Sequence, residues 1–233
     1  MLIKLHYAAR PAINRHMKIQ HKHLLAGGIV AGPLFMASIM IHGALKPDYN
    51  WLRHPASSLA LGPYGWIQSL TFIAAGLLTL AFAMVLWRTL RKSAPAGTTW
   101  GPLLIGWWAI MLIADGIFTT DPASGYPLGT PDIATTHTLH GNLHDGFALP
   151  AFVGMIIACS FVFSRWFARR GERKWAVYSV VNGIIMAAAF VLSSIAFSQP
   201  TQLVAYGGLF QRIFALGSWS YITALAIYIK HRF

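Results

Sequence analysis

Six long apolar runs, each bounded by polar or basic segments, constrain this chain more than any other feature. A membrane-crossing helix needs roughly 20 mostly apolar residues to traverse hydrocarbon about 30 Å thick. Inside the bilayer every backbone polar group must be satisfied within the segment, so runs of this length read as helices. The runs are Leu24 to Leu45, Trp66 to Trp87, Pro102 to Phe118, Phe147 to Phe163, Trp175 to Phe197 and Leu209 to Ile229. The third and fourth hold only 17 residues each. Their helices are therefore expected to run past the hydrocarbon, the fourth backward through the His-rich stretch before Phe147. The implied fold class is all-α, a polytopic membrane bundle of six transmembrane helices. Residues 1–23 form a basic cytoplasmic segment and 24–233 one transmembrane domain.

The basic residues orient the bundle, because Lys and Arg favour cytoplasmic loops. Lys4, Arg10, Arg15, Lys18 and Lys22 precede the first span. Arg88, Arg91 and Lys92 fill the second connection, Arg165, Arg169, Arg170, Arg173 and Lys174 the fourth, and Lys230 and Arg232 the tail. Fifteen of the 18 Lys and Arg thus share one side, and only Lys46, Arg53 and Arg212 fall on the other. This predicts a multi-pass cell-membrane protein with both termini cytoplasmic. Spread this way, a formal charge of +12 does not indicate nucleic acid. Asp48, Asp115, Asp121, Asp132 and Asp145 lie toward the outer side and Glu172 inside. Acidic residues influence insertion little, so their bias points to function or to solvation of outer loops.

Several features need no chemistry. The first span reads as an uncleaved anchor, and Met17 is an alternative start because the residues before it are dispensable to topology. His6, His16, His21 and His23 read as solvated cationic flank. The single cysteine, Cys159, lies within an apolar run and offers neither a disulfide nor a Cys-based zinc site. Gly28-x-x-x-Gly32 and Gly76 allow close helix approach.

The outer connections carry the chemistry. The first, from Lys46 to Trp66, is rich in Pro and Gly and predicts a folded cap. It contains Arg53, His54, Ser57 and Ser58, although no Gly-x-Ser-x-Gly element supports a serine nucleophile. Asp115 sits about one turn inside the third span, where a carboxylate is costly unless it faces the bundle and finds a partner. Arg212, one turn into the last span, is the expected partner of Asp115 or Asp145. His137, His140 and His144 fall within one stripe of about 60° if the segment is helical. Such a stripe could ligate zinc, with Asp145 or Asp115 as ligand or base. One of its histidines, facing His42 or His54, could instead ligate haem. No Walker-type loop or dinucleotide fingerprint occurs.

Arg53-His54-Pro55-x-Ser57-x-Leu59 is followed by Gly62-Pro63-Tyr64-Gly65-Trp66, Asp115-Gly116-x-Phe118-x-x-Asp121, an outer His before the fourth span, and Gly208-x-x-Gln211-Arg212. Together these motifs resemble the prokaryotic six-span proteins of domain-of-unknown-function family 998, across nearly the whole chain. The resemblance implies the six-span architecture and polar motifs clustered on one side. It carries no established activity. Seven-span ceramidase-like metal hydrolases use an Asp-His-x-x-x-His order that His140-x-x-x-His144-Asp145 does not reproduce.

The leading expectation is an outer polar site formed by Arg53, His54, Ser57, Asp115, Asp121, His140, His144, Asp145 and Arg212. It would bind a lipid headgroup or small polar molecule. The alternatives are a zinc hydrolase or haem protein using His137, His140 and His144, a transporter, and a structural subunit. Polar residues in the inner halves of the spans, such as Thr79, Ser160, Ser179 and Asn182, are too scattered to outline a transport path.

Overall fold

A computed structural model describes residues 24–91, 98–135, 137–198 and 201–232, and the backbone of residues 2–23 as an extension of the first helix. Lys92 and the side chains of Lys4, Arg10, Arg15, Lys18, Lys22 and the four N-terminal histidines lie outside the described residues, as does any reading of Met17. The helices are α1 (Leu2–Leu45), α2 (Gly65–Leu90), α3 (Trp100–Ile117), α4 (Leu139–Arg169), α5 (Arg173–Ser198) and α6 (Gly207–Arg232). Six helices are long and apolar enough to cross a membrane, so the chain is a multi-pass membrane protein. With an even number of spans, both termini emerge at one end of the bundle, here called the near end.

The short fourth run gains its length where its flanking sequence allowed. The helix extends back to Leu139 because Thr138 caps it, its hydroxyl accepting from the Gly141 amide at 3.0 Å. Asp121 fixes that cap from across the loop, accepting from the Thr138 amide at 2.8 Å and hydroxyl at 2.7 Å. Two irregularities interrupt α4. Pro150 supplies no N–H to the helix ladder, and residues Ala158–Phe163 form a π turn.

Each helix packs on its sequence neighbours and α6 returns to α1, closing a ring of six. Small residues set the spacing. A Cβ on Gly76 would fall 2.8 Å from the Ala109 carbonyl oxygen, so α2 and α3 meet almost backbone to backbone.

The two ends of the ring are filled differently. Toward the termini, aromatic rings plug the centre. Phe167 stacks on Trp175 at 5.4 Å, Tyr178 on Tyr221 at 5.6 Å, and Tyr228 packs edge-on against Phe167 at 5.1 Å. The Tyr221 hydroxyl finds Ser179 at 2.8 Å, so the plug leaves that polar group satisfied. At the far end the centre stays open beneath a roof built from residues 46–64 and 118–135.

The roof is tied down by polar contacts. Lys46 Nζ donates to the carbonyls of Leu59, at 2.6 Å, and Leu61, holding the short 3-10 turn Ala56–Ala60 over the ring. The amides of Gly208 and Leu209 donate to Arg53 and Leu52 carbonyls at 3.1 and 2.9 Å, docking the first loop onto the start of α6. Tyr126 of the second roof loop packs against Tyr49 at 5.4 Å and His54 at 5.2 Å.

Candidate functional site

Under the roof the ring encloses a cavity of about 430 Å3. Its upper wall carries Ser57, Asp115, His144, Asp145, Gln211 and Arg212, and its lower wall is apolar, ending at Phe35, Trp108 and Trp219. From Arg212 to Trp219 on α6, and from Asp115 to Trp108 on α3, is seven residues. At about 1.5 Å per residue the polar layer sits roughly 10 Å above the aromatic floor.

Arg212 is the central element. It is 5% exposed, yet its partners are not carboxylates. Nη1 donates to the carbonyls of His54 at 3.2 Å and Gly208 at 3.0 Å, and Nη2 donates to the Tyr49 hydroxyl at 2.6 Å. Nε has no acceptor among the described residues, and Nη2 retains a second N–H. The expected pairing with Asp115 or Asp145 is therefore corrected. Among the described residues Arg53 pairs with Asp132 and Arg232 with Glu172, His144 approaches Asp115, and none of these contacts includes Arg212. A roof carbonyl and one from the preceding turn of α6 have taken the place foreseen for a carboxylate.

The acidic element lies on α3 and α4 of the same cavity. His144 Nδ1 is 3.8 Å from Asp115 Oδ1 and donates to the Phe118 carbonyl at 2.8 Å. Because a carbonyl only accepts, Nδ1 carries a proton, and in the neutral ring Nε2 is then the acceptor nitrogen. Asp115 Oδ1 has no hydrogen-bond donor among the described residues. The cavity thus carries a buried guanidinium and a buried carboxyl group that are not paired with one another.

The histidine stripe does not assemble. Helix α4 starts at Leu139, so His137 precedes the cap and leaves the expected face, although it lies at the cavity mouth. His140 is exposed and rests edge-on against Phe118 at 5.6 Å. Among the described residues no group of three or more His, Cys, Asp or Glu is placed to hold a metal ion. Nor does a histidine pair face across the cavity for haem, since His144 lines it while His42 and His54 do not.

The other expected site residues divide between lining and support. Ser57 lines the cavity, and so does Asp121, whose carboxylate is committed to Thr138. Arg53 points away from it, donating to the Ser124 carbonyl at 2.9 Å and pairing with Asp132, which clamps the two roof loops together. His54 sits within the roof, its Nδ1 accepting from the Asn50 amide at 3.0 Å. Burial, with Arg53 and Arg212 nearby, pushes its pKa down to about 4. The ring therefore stays neutral beside Arg212 and adds no third charge. Burial likewise lowers the Lys46 pKa and raises that of Tyr49.

Sequence reasoning missed Tyr49, Tyr126 and Gln211. Tyr49 accepts from Arg212 and donates to the Pro55 carbonyl at 2.9 Å, coupling the guanidinium to the roof. Gln211 Oε1 accepts from the Ala56 amide at 2.7 Å and orients the 3-10 turn. Gln211 stands within the Gly208-x-x-Gln211-Arg212 motif but not among the expected site residues.

Fold and cavity define a class: a six-span helical membrane protein with an amphipathic cavity opening at the end opposite its termini. The chain belongs to the family described as Protein of unknown function (DUF998), whose model matches residues 29–228. No curated protein and no solved structure matched the chain.

Proposed function

We propose that this is a cell-membrane protein, with both termini cytoplasmic, whose cavity faces the outer leaflet and binds a zwitterionic headgroup or small zwitterion. The observation that carries this reading is Arg212, a buried guanidinium with unused donors and no carboxylate beside it, above a cavity that holds Asp115 and His144. A charge buried within a bilayer is costly unless it is paired, and Arg212 has no carboxylate partner among the described residues. A phosphate or carboxylate satisfies the N–H donors of Arg212, and guanidinium suits such oxyanions through paired donors. An ammonium answers the Asp115 carboxylate and the acceptor nitrogen of His144. The charge arithmetic of the loops supports the orientation, and the aromatic plug at the near end favours binding over passage through the bundle.

Isothermal titration of the purified protein in mild detergent with glycerophosphoethanolamine tests the reading. Saturable binding is expected, weakened about 10- to 100-fold by Arg212→Gln, the loss of one charge-assisted pairing worth about 1.5–3 kcal/mol. Asp115→Asn should weaken the zwitterion but not glycerol phosphate, which lacks the ammonium. Absence of binding in the wild-type protein, or binding indifferent to both substitutions, refutes the proposal.

A further inference from the structure

The cavity reaches the side of the bundle as well as its end. Leu149 of α4 lines the cavity and is also 49% exposed. Ser198 of α5 lines it and is exposed, and Ser194 and Phe197 line it while part-exposed. On the α4 wheel, Phe147 and Gly154 share the flank that meets α3, through Phe118 for the first and Leu104 and Trp107 for the second. Asp145, Leu149 and Phe152 lie roughly 140–200° from Phe147 at about 100° per residue, on the flank that faces α5. The lining residues of α5 complete this seam.

The two helices are in close contact lower down. A Cβ on Gly183 would fall 1.8 Å from Ser160 Oγ, so the helices touch there. Higher, Phe152 and Phe190 meet edge-on at 5.7 Å and form a sill. Leu149 and Ser194 each stand 11 residues beyond the Ser160–Gly183 contact, about 16 Å along the helices. At that level both side chains line the cavity, and Leu149 is also exposed on the side of the bundle. Pro150 occupies this stretch of α4. The seam therefore opens in the half of the bundle that holds the polar layer, and closes at the sill.

The interior behind this opening has a graded chemistry. Polar groups sit high, and about 10 Å of apolar and aromatic wall leads down to Trp108 and Trp219, comparable with much of the roughly 15 Å of hydrocarbon in one leaflet. At about 430 Å3 the cavity is near the lower end of the roughly 300–1,000 Å3 usual for ligand sites, room for a headgroup and one chain rather than two. A small water-soluble zwitterion would leave the aromatic floor unoccupied and would need no lateral opening.

We propose that the cavity takes up a single-chain phospholipid bearing a primary ammonium, of the lysophosphatidylethanolamine type, laterally from the leaflet through the seam between α4 and α5. Its phosphate meets Arg212, its ammonium meets Asp115 and His144, and its acyl chain descends to the floor at Trp108 and Trp219. The primary ammonium follows from His144 Nε2, which accepts a hydrogen bond that a quaternary ammonium cannot donate. This inference rests on the headgroup reading above and adds to it the chain and the route.

The test uses lysophosphatidylethanolamine carrying a diazirine at the chain terminus, photolysed with the full-length protein in nanodiscs and mapped by mass spectrometry. Labelling is expected at Phe35, Trp108, Met111 and Trp219, and unlabelled lipid should compete it away. Ser194→Trp, which fills the seam, should reduce that labelling at least tenfold while the thermal unfolding midpoint stays that of the wild type. Leu149→Trp tests the same seam from the opposite wall, and an unchanged unfolding midpoint certifies that either variant is folded. Labels confined to surface positions such as Val153 and Ile185 would overturn chain uptake. Floor labelling undiminished by both tryptophans would overturn the lateral route. In either case intact Arg212-dependent headgroup binding leaves the functional reading standing, whereas loss of headgroup binding in the wild type refutes that reading itself.

Discussion

Gly208→Ala should detach the roof from the last span. A Cβ at this position would lie 2.4 Å from the His54 carbonyl oxygen, 2.7 Å from that of Trp51 and 3.0 Å from Arg212 Nη1. The first two are backbone atoms of the roof loop, so relief requires the loop to lift. Lifting it strains the bonds from the Gly208 amide to Arg53, the Leu209 amide to Leu52 and Arg212 Nη1 to His54. Two neutral bonds contribute about 1 kcal/mol each and the charged one about 1.5–3 kcal/mol, while overpacking adds about 1–3 kcal/mol. Against this, alanine gains at most about 1 kcal/mol of helix propensity over glycine. Partial relaxation of the loop recovers some of the rest, which leaves a net loss of roughly 3–5 kcal/mol. Equilibrium unfolding of the purified protein by dodecyl sulfate in mixed micelles reads this directly. Gly146→Ala is the matched control, since its new methyl enters open space, and it should be neutral or stabilising by up to about 1 kcal/mol. A Gly208→Ala protein within about 0.5 kcal/mol of wild type, the ordinary range of surface substitutions, would refute the docking argument.

Four further outcomes are expected. Thr138→Ala removes the α4 cap and should cost about 1 kcal/mol in the same unfolding assay, with faster amide exchange confined to the first turn. His54 binds its proton less readily folded than unfolded, so the unfolded state takes up more protons between the ordinary histidine value and about 4. Stability contributed by its neutral form is present above that window and is lost as pH falls through it, by at most about 1.4 kcal/mol per pH unit; a His54→Asn variant should show a flatter pH dependence of unfolding. Arg53→Gln breaks a half-exposed clamp worth about 0–1 kcal/mol and should leave glycerophosphoethanolamine affinity unchanged, in contrast to Arg212→Gln. Elemental analysis of the purified protein should find no stoichiometric zinc, because His137, His140 and His144 do not converge.

Much of the architecture was legible because the bilayer imposes it. A 17-residue apolar run between Phe147 and Phe163 demanded more helix, and the polar residues before it supplied that helix back to Leu139. Where α4 begins was less accessible, since it depends on Asp121 reaching Thr138 across 17 positions, an interaction without periodicity. That cap displaced His137 and dissolved the stripe. Asp115 and Arg212 were picked out by the cost of charge at membrane depth, and both line the cavity. Their partners were not readable, because Arg212 is held by the carbonyls of His54 and Gly208, which every residue possesses. Tyr49 and Tyr126 resemble interfacial aromatics in sequence, and only the folded roof distinguishes them.

The separation of Arg212 from Asp115 carries information of its own. If the cavity served only to fix helix register, the least costly arrangement would bring Arg212 and a carboxylate together, since a guanidinium buried alone incurs a desolvation penalty of several kcal/mol. The fold instead holds Arg212 with two carbonyls and a tyrosine hydroxyl, and sets Asp115 beside a neutral-tautomer imidazole whose proton goes to Phe118. Arg212 is thus positioned by neutral dipoles that fix its direction without cancelling its charge. Such preorganisation lowers the cost of binding a partner with two opposite charges. It also predicts coupling: in a double-mutant cycle, Arg212→Gln and Asp115→Asn should be less than additive on zwitterion affinity, because loss of either end releases the other from its site. Strict additivity would mean that the two residues act on separate ligands, and would overturn the bridging geometry while leaving each residue's individual contribution measurable.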